Sequence, residues 1–389
     1  MTQQPAAGIP GRFICIHVLQ SVPYSNLNRD DTNSVKTVQY GDRERTRVSS
    51  QCWKRAVRRY FQNTIGQQAL RTRRIGEAVE KTLREQREWP ADLARRAGQH
   101  IAAGSSIKAD PPSNDDPAWS TNAMVYVPAT AVGELADIAA AHREQLEAAK
   151  DMKKGGKSVL PTDDIDQILR SRNGVINLFG RMLAEIDDAS VDGAVQVAHA
   201  LTTHGTDVEI DYFAAVDDIT DTWSDTTGSA HMGSTEYSAG VFYRYATIDL
   251  NDLLRNIGGD LAAARELAAA FIEAFVLSLP EAKKTATAPH TIPDLVHLTV
   301  RSDRPVSYAA AFEQPVTADR TGGFAAPSRV ALDTYATAAG RLLGGRGLLN
   351  AGWASLETKD LGGLGNRADS YPDLIDTAVT AALGEGDQA

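Results

Sequence analysis

The segment Phe13 to Gln20, FICIHVLQ, constrains the fold more than any other stretch of this 389-residue chain. It is a β-rich apolar run without clean alternation between apolar and polar residues, the pattern of a central strand covered on both faces. A strand of that kind founds a core, and the composition can support one. With 42% hydrophobic and 23% charged residues, the chain has the balance of a globular protein of two or three domains, which excludes global disorder.

A polar loop follows through Asn28, Arg29, Asp30 and Asp31. The segment Ser50 to Phe61 then reads as a helix: Ser50 can cap it, and Trp53, Ala56, Val57, Tyr60 and Phe61 share an apolar side. On the other side Lys54 and Arg58, and Arg55 and Arg59, stand four apart and stack along one face. A charged helical pattern continues from Gln67 to Gln99, and Ser, Pro and Asp between Ala103 and Thr121 mark a loop. A second helical run extends from Val132 to Lys150. It is followed by a Lys and Gly tip at Lys153, Lys154, Gly155, Gly156 and Lys157, and by a capped helix opening at Thr162. Residues 66–175 therefore read as one helical insertion dividing a domain formed by residues 1–65 and 176–389. In the latter, Val208 to Ala215 and Gly240 to Ile248 suit strands, Leu261 to Leu279 suits a helix stopped by Pro280, and an Ala-rich helical tail closes an α+β fold.

Forty Lys and Arg against 50 Asp and Glu give a net charge of -10, which argues against a nucleic-acid partner until the charge is located. Between Arg43 and Arg96 stand 15 basic and 6 acidic residues, a net of +9, while the other 335 residues carry 25 basic against 44 acidic. One basic block sits on an acidic body. Two cysteines, Cys15 and Cys52, are too few for a disulfide framework and lack metal-ligand spacing, so a reducing cytoplasm is the expected compartment. The N-terminus has neither a basic nor an apolar signal region, and Arg265, Glu266 and Glu273 interrupt the most apolar long stretch. Neither secretion nor a membrane partner is expected.

Several motifs match chemistry only by letters. Gly156-Lys157-Ser158 ends like a P-loop, but Asp151 stands where its first glycine belongs and a helix precedes it. Gly363-Leu364-Gly365-Asn366-Arg367-Ala368 resembles a dinucleotide fingerprint without a leading strand or room for the domain. His199 and His204 lie five apart, which suits hydrogen-bonded structural histidines better than zinc. The carboxylates Asp207, Glu209, Asp211, Asp217, Asp218, Asp221 and Asp225 could host a hard cation but fit no EF-hand spacing, and read as a solvated loop. No catalytic set, metal site or cofactor is expected.

The strongest signal is Arg43-Glu44-Arg45-Thr46-Arg47-Val48-Ser49-Ser50-Gln51, leading into the basic helix. If Arg43 to Arg47 is extended, alternate arginines project from one side, while Ser49, Ser50 and the free N–H groups of the helix start can hold a phosphate. A solvated basic helix without a ligand has the same composition. The loop and helix start together point instead to a phosphodiester track.

Further strings now fall into place: His17-Val18-Leu19-Gln20-Ser21, Leu27 to Asp31, Arg47 to Gln51 with Lys54-Arg55-Ala56, Val191-Asp192-Gly193-Ala194, Ala198-His199-Ala200 with Thr202-Thr203-His204, and Gly228 to Gly233 followed by Gly240 to Tyr245. From residue 13 to about 284 they resemble, in order, the CasC family, the repeated backbone subunit of the type I-E CRISPR Cascade complex. The helical insertion and the C-terminal third match more loosely. The resemblance implies an RRM-like (ferredoxin-like) palm, inserted helical fingers, and a thumb loop at 206–236. It implies copies that polymerise along CRISPR RNA (crRNA) and grip its backbone, so that the guide can pair with target double-stranded DNA. The implied partners are crRNA, further copies of the chain, other Cascade subunits, target DNA and a trans-acting helicase-nuclease that does the cutting.

Matched by motif, the resemblance places Asn28, Arg29, Lys36, Ser49, Gln51, Lys54, Arg55 and Arg58 along the RNA, and the phosphodiester track read from the residues adds Arg45, Arg47 and Ser50. Met182 stands at an apolar wedge against the bases and Phe213 at the thumb aromatic, each with core packing as the alternative. Ala214 replaces a Thr that family members can carry, which puts a hydroxyl contact there in doubt. Lys150, Lys153, Lys154 and Lys157 fall where the fingers carry DNA-contacting lysines, though a solvated tip also explains them. The rival reading is a metal-dependent RNA-processing enzyme or nuclease using Asp217, Asp218 and Asp221 with His199 or His204.

Overall fold

The computed structural model describes residues 8–114, 116, 118–216 and 229–385. The chain divides into two compact units, one comprising residues up to Tyr60 with Val195–Asn251 and Leu261 onward, the other Phe61–Ala194 with Asp252–Asp260.

The first unit is built on the apolar run. Phe13–Ser25 is a strand whose residues Phe13 to Gln20 are all buried. It pairs antiparallel on one side with the long strand Ser229–Asp249, with Tyr245 opposite His17, and on the other with Leu295–Arg301, with His297 opposite His17. The sheet continues past Leu295–Arg301 to Leu348–Ser355 and Asn366–Arg367, and past Ser229–Asp249 to Ala200–Thr202, Arg43–Val48 and Thr37–Tyr40. Strand geometry sends alternate side chains to opposite faces. Leu19 packs on one face with Tyr243, Leu295 and Trp353, beneath Leu332 and Ala336 of helix Ala325–Leu343. Against the sheet also lies helix Tyr371–Leu383, which packs on helix Leu261–Leu277. Covering both faces is what removes the need for alternation in FICIHVLQ.

Among the described residues, strand Glu209–Val216 pairs with the first part of Ser229–Asp249 alone, from Glu209 opposite Tyr237 to Val216 opposite Ser229, and forms a two-stranded ribbon. Residues 217–228 between the two strands, with Asp217, Asp218, Asp221 and Asp225, lie outside the described residues.

The second unit is mostly helical: Ile75–Gln86, Ala91–Gly104, Ala131–Ala141, Arg143–Ala148, Thr162–Arg170 and Gly174–Phe179, with short strand pairs Ala69–Thr72 with Val125–Pro128 and Ala109–Asp110 with Ser120–Thr121. Its core includes Val79, Leu83, Ile101, Leu135 and Ile165. Leu183, Ile186 and Ala189 belong to the same core, so the unit runs to Ala194 where the sequence pattern sets a boundary at 175. The helix at Thr162 has Pro161 at its cap position and no side-chain cap, where the sequence suggests a capped start.

Candidate nucleic-acid interface

The basic track forms where three segments of the first unit are tied by backbone hydrogen bonds. The loop after the central strand folds back so that Lys36 N–H donates to the Asn28 carbonyl at 3.4 Å and Arg47 N–H donates to the Lys36 carbonyl at 2.8 Å. Asp30 holds the loop's turn, accepting from the Thr32 hydroxyl at 2.8 Å, Ser34 N–H at 2.9 Å and Thr32 N–H at 2.8 Å, and these bonds, the Thr32 hydroxyl's first, keep its carboxyl below the usual range. Glu236, on the long strand, accepts from Val35 N–H at 2.9 Å and fixes the loop to the sheet. Asn28, Lys36, Arg47, Ser49 and Ser50 are thereby brought together. Arg29 stays exposed, its guanidinium on Asn33 Oδ1 at 2.8 Å.

Arg43–Val48 is indeed a strand, pairing with Thr37–Tyr40 and, through Arg47 and Val48, with Leu201 and Ala200. The helix after it begins at Ser50, and its cap is Ser49: Ser49 Oγ accepts from Cys52 N–H at 3.2 Å. This corrects the expectation that Ser50 caps it. The helix-start donors are also largely engaged within the chain. Ser49 N–H donates to Asn28 Oδ1 at 2.8 Å, and Ser50 N–H donates to His199 Nδ1 at 3.1 Å. Arg47 Nη1 reaches the same His199 Nδ1 at 3.2 Å.

Trp53, Val57 and Phe61 bury the apolar side of the helix Ser50–Thr64. Gln51 and Arg55 are exposed, and Lys54 and Arg58 half-buried. Arg59 is held by Glu281 at 2.6 Å, so of the four stacked cations it is the one answered by that carboxylate.

Arg45 departs from the expected line of ligands. Its side chain is fully buried, with Nη1 donating to the Thr202 carbonyl at 2.9 Å and Nη2 to the Phe312 carbonyl at 3.2 Å, beside the Tyr40 ring. The reason is its place in the sheet, where neighbouring segments close over the middle of the strand. Arg45 builds the platform and does not face solvent. The same holds for Arg244 on the long strand: its guanidinium lies 4.0 Å over Trp53 and bonds Gln20 Oε1 and the Phe275 carbonyl. Burial lowers its pKa to about 9. His204 is structural, stacked on Phe324 at 3.6 Å, donating from Nδ1 to the Gly205 carbonyl and accepting Val241 N–H at Nε2.

On the ribbon, Phe213 is opposite Gly233 and 47% exposed. Its ring covers that glycine, since a Cβ there would stand 2.6 Å from Phe213 Cζ. Ala214 pairs with Met232 in the next register position. In the helical unit, Met182 is 88% exposed at the start of a tightly held loop. The buried Arg181 beside it donates to the carbonyls of Ala189, Tyr126, Leu169, Ser171 and Arg170, and burial lowers its pKa to about 10. Gly180, at φ 78°, opens that loop, and a Cβ there would meet Gly193 N at 2.7 Å. Nothing in the sequence marks Arg181 as a buried clamp. Lys150, Lys153, Lys154 and Lys157 are all exposed, Lys154 with Asp110 at 3.1 Å. Among the described residues no group of His, Cys, Asp or Glu is placed to hold a metal, and no helix is long and apolar enough to cross a membrane.

An α+β unit that lays Arg47, Lys36 and a helix start side by side, with a basic helix leading away, has the surface of a polyanion-binding protein. The chain belongs to the family of CT1975-like proteins, which it matches over residues 14–377. Among solved structures it is similar to a chain of a "CRISPR RNA-guided surveillance complex, pre-nicking", with 44% identity over 95% of this chain and 100% of that one and a TM-score of 0.88. A chain of another "CRISPR RNA-guided surveillance complex" is 41% identical over the same shares, with a TM-score of 0.77. A search of curated proteins found no match.

Proposed function

We propose that this chain is a non-catalytic backbone subunit of a type I-E Cascade complex, which assembles in several copies along crRNA, holds its phosphate backbone and presents the spacer for pairing with invading double-stranded DNA. The observation that carries this reading is the 44% identity, spread over 95% of the chain, to a chain of an RNA-guided surveillance complex. In it the sheet unit is an RRM-like palm, the helical unit the fingers and the ribbon a thumb. Arg29, Lys36, Arg47, Ser50, Gln51, Lys54, Arg55 and Arg58 meet phosphates, with Asn28 and Ser49 shaping the helix start. Met182 and Phe213 press on bases at intervals, and the exposed fingers lysines meet DNA. Backbone contacts position and base pairing specifies, so one protein surface serves any guide. Other Cascade subunits complete the particle in the cytoplasm, and a helicase-nuclease acts in trans.

The test is to purify the chain from cells expressing a CRISPR array and the processing subunit. A high-mass particle with RNA of defined length supports the reading; an RNA-free monomer contradicts it. Lys54→Ala with Arg58→Ala is expected to weaken RNA retention for all guides alike and to lower the salt slope by about 2, near 0.7 to 0.9 per lost phosphate contact. Loss confined to particular guide sequences would contradict backbone recognition.

A further inference from the structure

We propose that His199 is the positioning residue of this track, its Nδ1 holding the Arg47 guanidinium and the start of the basic helix where an RNA phosphate is met; the inference rests on the RNA-binding reading above. His199 directly precedes the strand Ala200–Thr202, whose Ala200 is opposite Val48, so the sheet fixes the ring beside the strand-to-helix junction. Two donors converge on one ring nitrogen: Arg47 Nη1 at 3.2 Å and Ser50 N–H at 3.1 Å. Neither can accept a hydrogen bond, because a guanidinium keeps its protons and a backbone amide has only its N–H to offer. Nδ1 must therefore carry a lone pair, and the ring proton sits on Nε2.

That tautomer ties the strand-to-helix junction at Arg47 and Ser50 to a ring about 150 residues further along the chain, and it does so without a carboxylate, which would repel the RNA. Among the described residues the charged group acting on His199 is Arg47 from the adjacent strand, and the helix start presents the Ser50 N–H. Burial and Arg47 both disfavour the imidazolium. Protonation at Nδ1 would set a ring N–H against both donors and release them.

The consequence has a distinctive sign. An added positive charge near RNA ordinarily strengthens binding; here acidification loosens it, because it undoes the alignment of Arg47. The experiment compares RNA retention against salt for particles carrying wild-type chain, His199→Ala and His199→Asn, at about pH 8 and about pH 5.5, on either side of the histidine range. Asparagine can place an amide oxygen where Nδ1 stands, and it does not titrate.

His199→Ala is expected to weaken retention about tenfold at the higher pH, the size of one charge-assisted hydrogen bond, and His199→Asn to recover most of the loss. Acidification is expected to weaken the wild type relative to His199→Asn, a comparison that cancels general effects of pH on the fold. Retention in His199→Ala equal to wild type, or a wild type that tightens on acidification in step with His199→Asn, would overturn the proposal while leaving RNA binding intact. A wild-type particle without RNA would overturn both readings.

Discussion

Arg43, Arg45 and Arg47 alternate along one strand, yet they meet different surroundings: Arg43 is exposed, Arg47 half-buried on His199, and Arg45 enclosed among carbonyls. Period-two spacing says which residues share a side, but not where along the strand other segments close over that side. The burial of Arg45 depends on Thr202 and Phe312, 157 and 267 residues away, and so was not legible in the local sequence. Substituting Arg45→Met is expected to lower stability by about 2–4 kcal/mol, because it leaves buried carbonyls unpaired. Arg45→Lys should rescue little, since an ammonium cannot reproduce the fork. Denaturant midpoints measure the loss, and the salt slope of RNA retention should stay as in the wild type. A slope reduced by about one contact, with stability intact, would return Arg45 to the ligands.

At the level of elements, several strand and helix signals were readable because they are carried by pattern: FICIHVLQ, the amphipathic Ser50–Thr64, the run Val208 to Ala215 that became one arm of the ribbon, and Gly240 to Ile248 that became the central strand's partner. The strand pairing that sets Phe213 on Gly233 was not readable, since register depends on both partners. It yields a prediction. A methyl added by Gly233→Ala would stand 2.6 Å from Phe213 Cζ and force the ring away. In the proposed role of Phe213, this change on the facing strand should reproduce Phe213→Ala. Both should weaken target-DNA binding by the guide-loaded particle, to an extent bounded by the about 1–3 kcal/mol of a base-stacking aromatic, with RNA retention kept. Full DNA binding in Gly233→Ala beside a defect in Phe213→Ala would contradict it.

For the whole molecule, burial leaves several histidines neutral. His17 is stacked on Tyr308 at 4.4 Å and bonded to Tyr243 at 2.8 Å, and its pKa is pushed down first by burial and then by His297. Burial lowers His297 to about 4, and it also lowers His100 and His204. Unfolding returns each to about 6.5, so below that pH the unfolded chain binds more protons and stability falls with pH. Calorimetry of the chain should show Tm dropping from about pH 6.5 to about pH 5, above the range where carboxylates titrate. A flat Tm there would mean these rings are protonated in the fold. The helical unit's extent to Ala194 was hidden because Leu183, Ile186 and Ala189 lie beyond its last helix, in a segment whose order depends on the buried Arg181. The strand Ser229–Asp249 has a mechanical consequence. Its 21 residues form one continuous backbone, about 70 Å at about 3.3 Å per residue, serving as ribbon edge at one end and as partner of the central strand at the other. It is a beam built into its own foundation: a load applied near Met232 is delivered along covalent backbone to Tyr245, opposite His17, so whatever grips the ribbon pulls on the heart of the sheet.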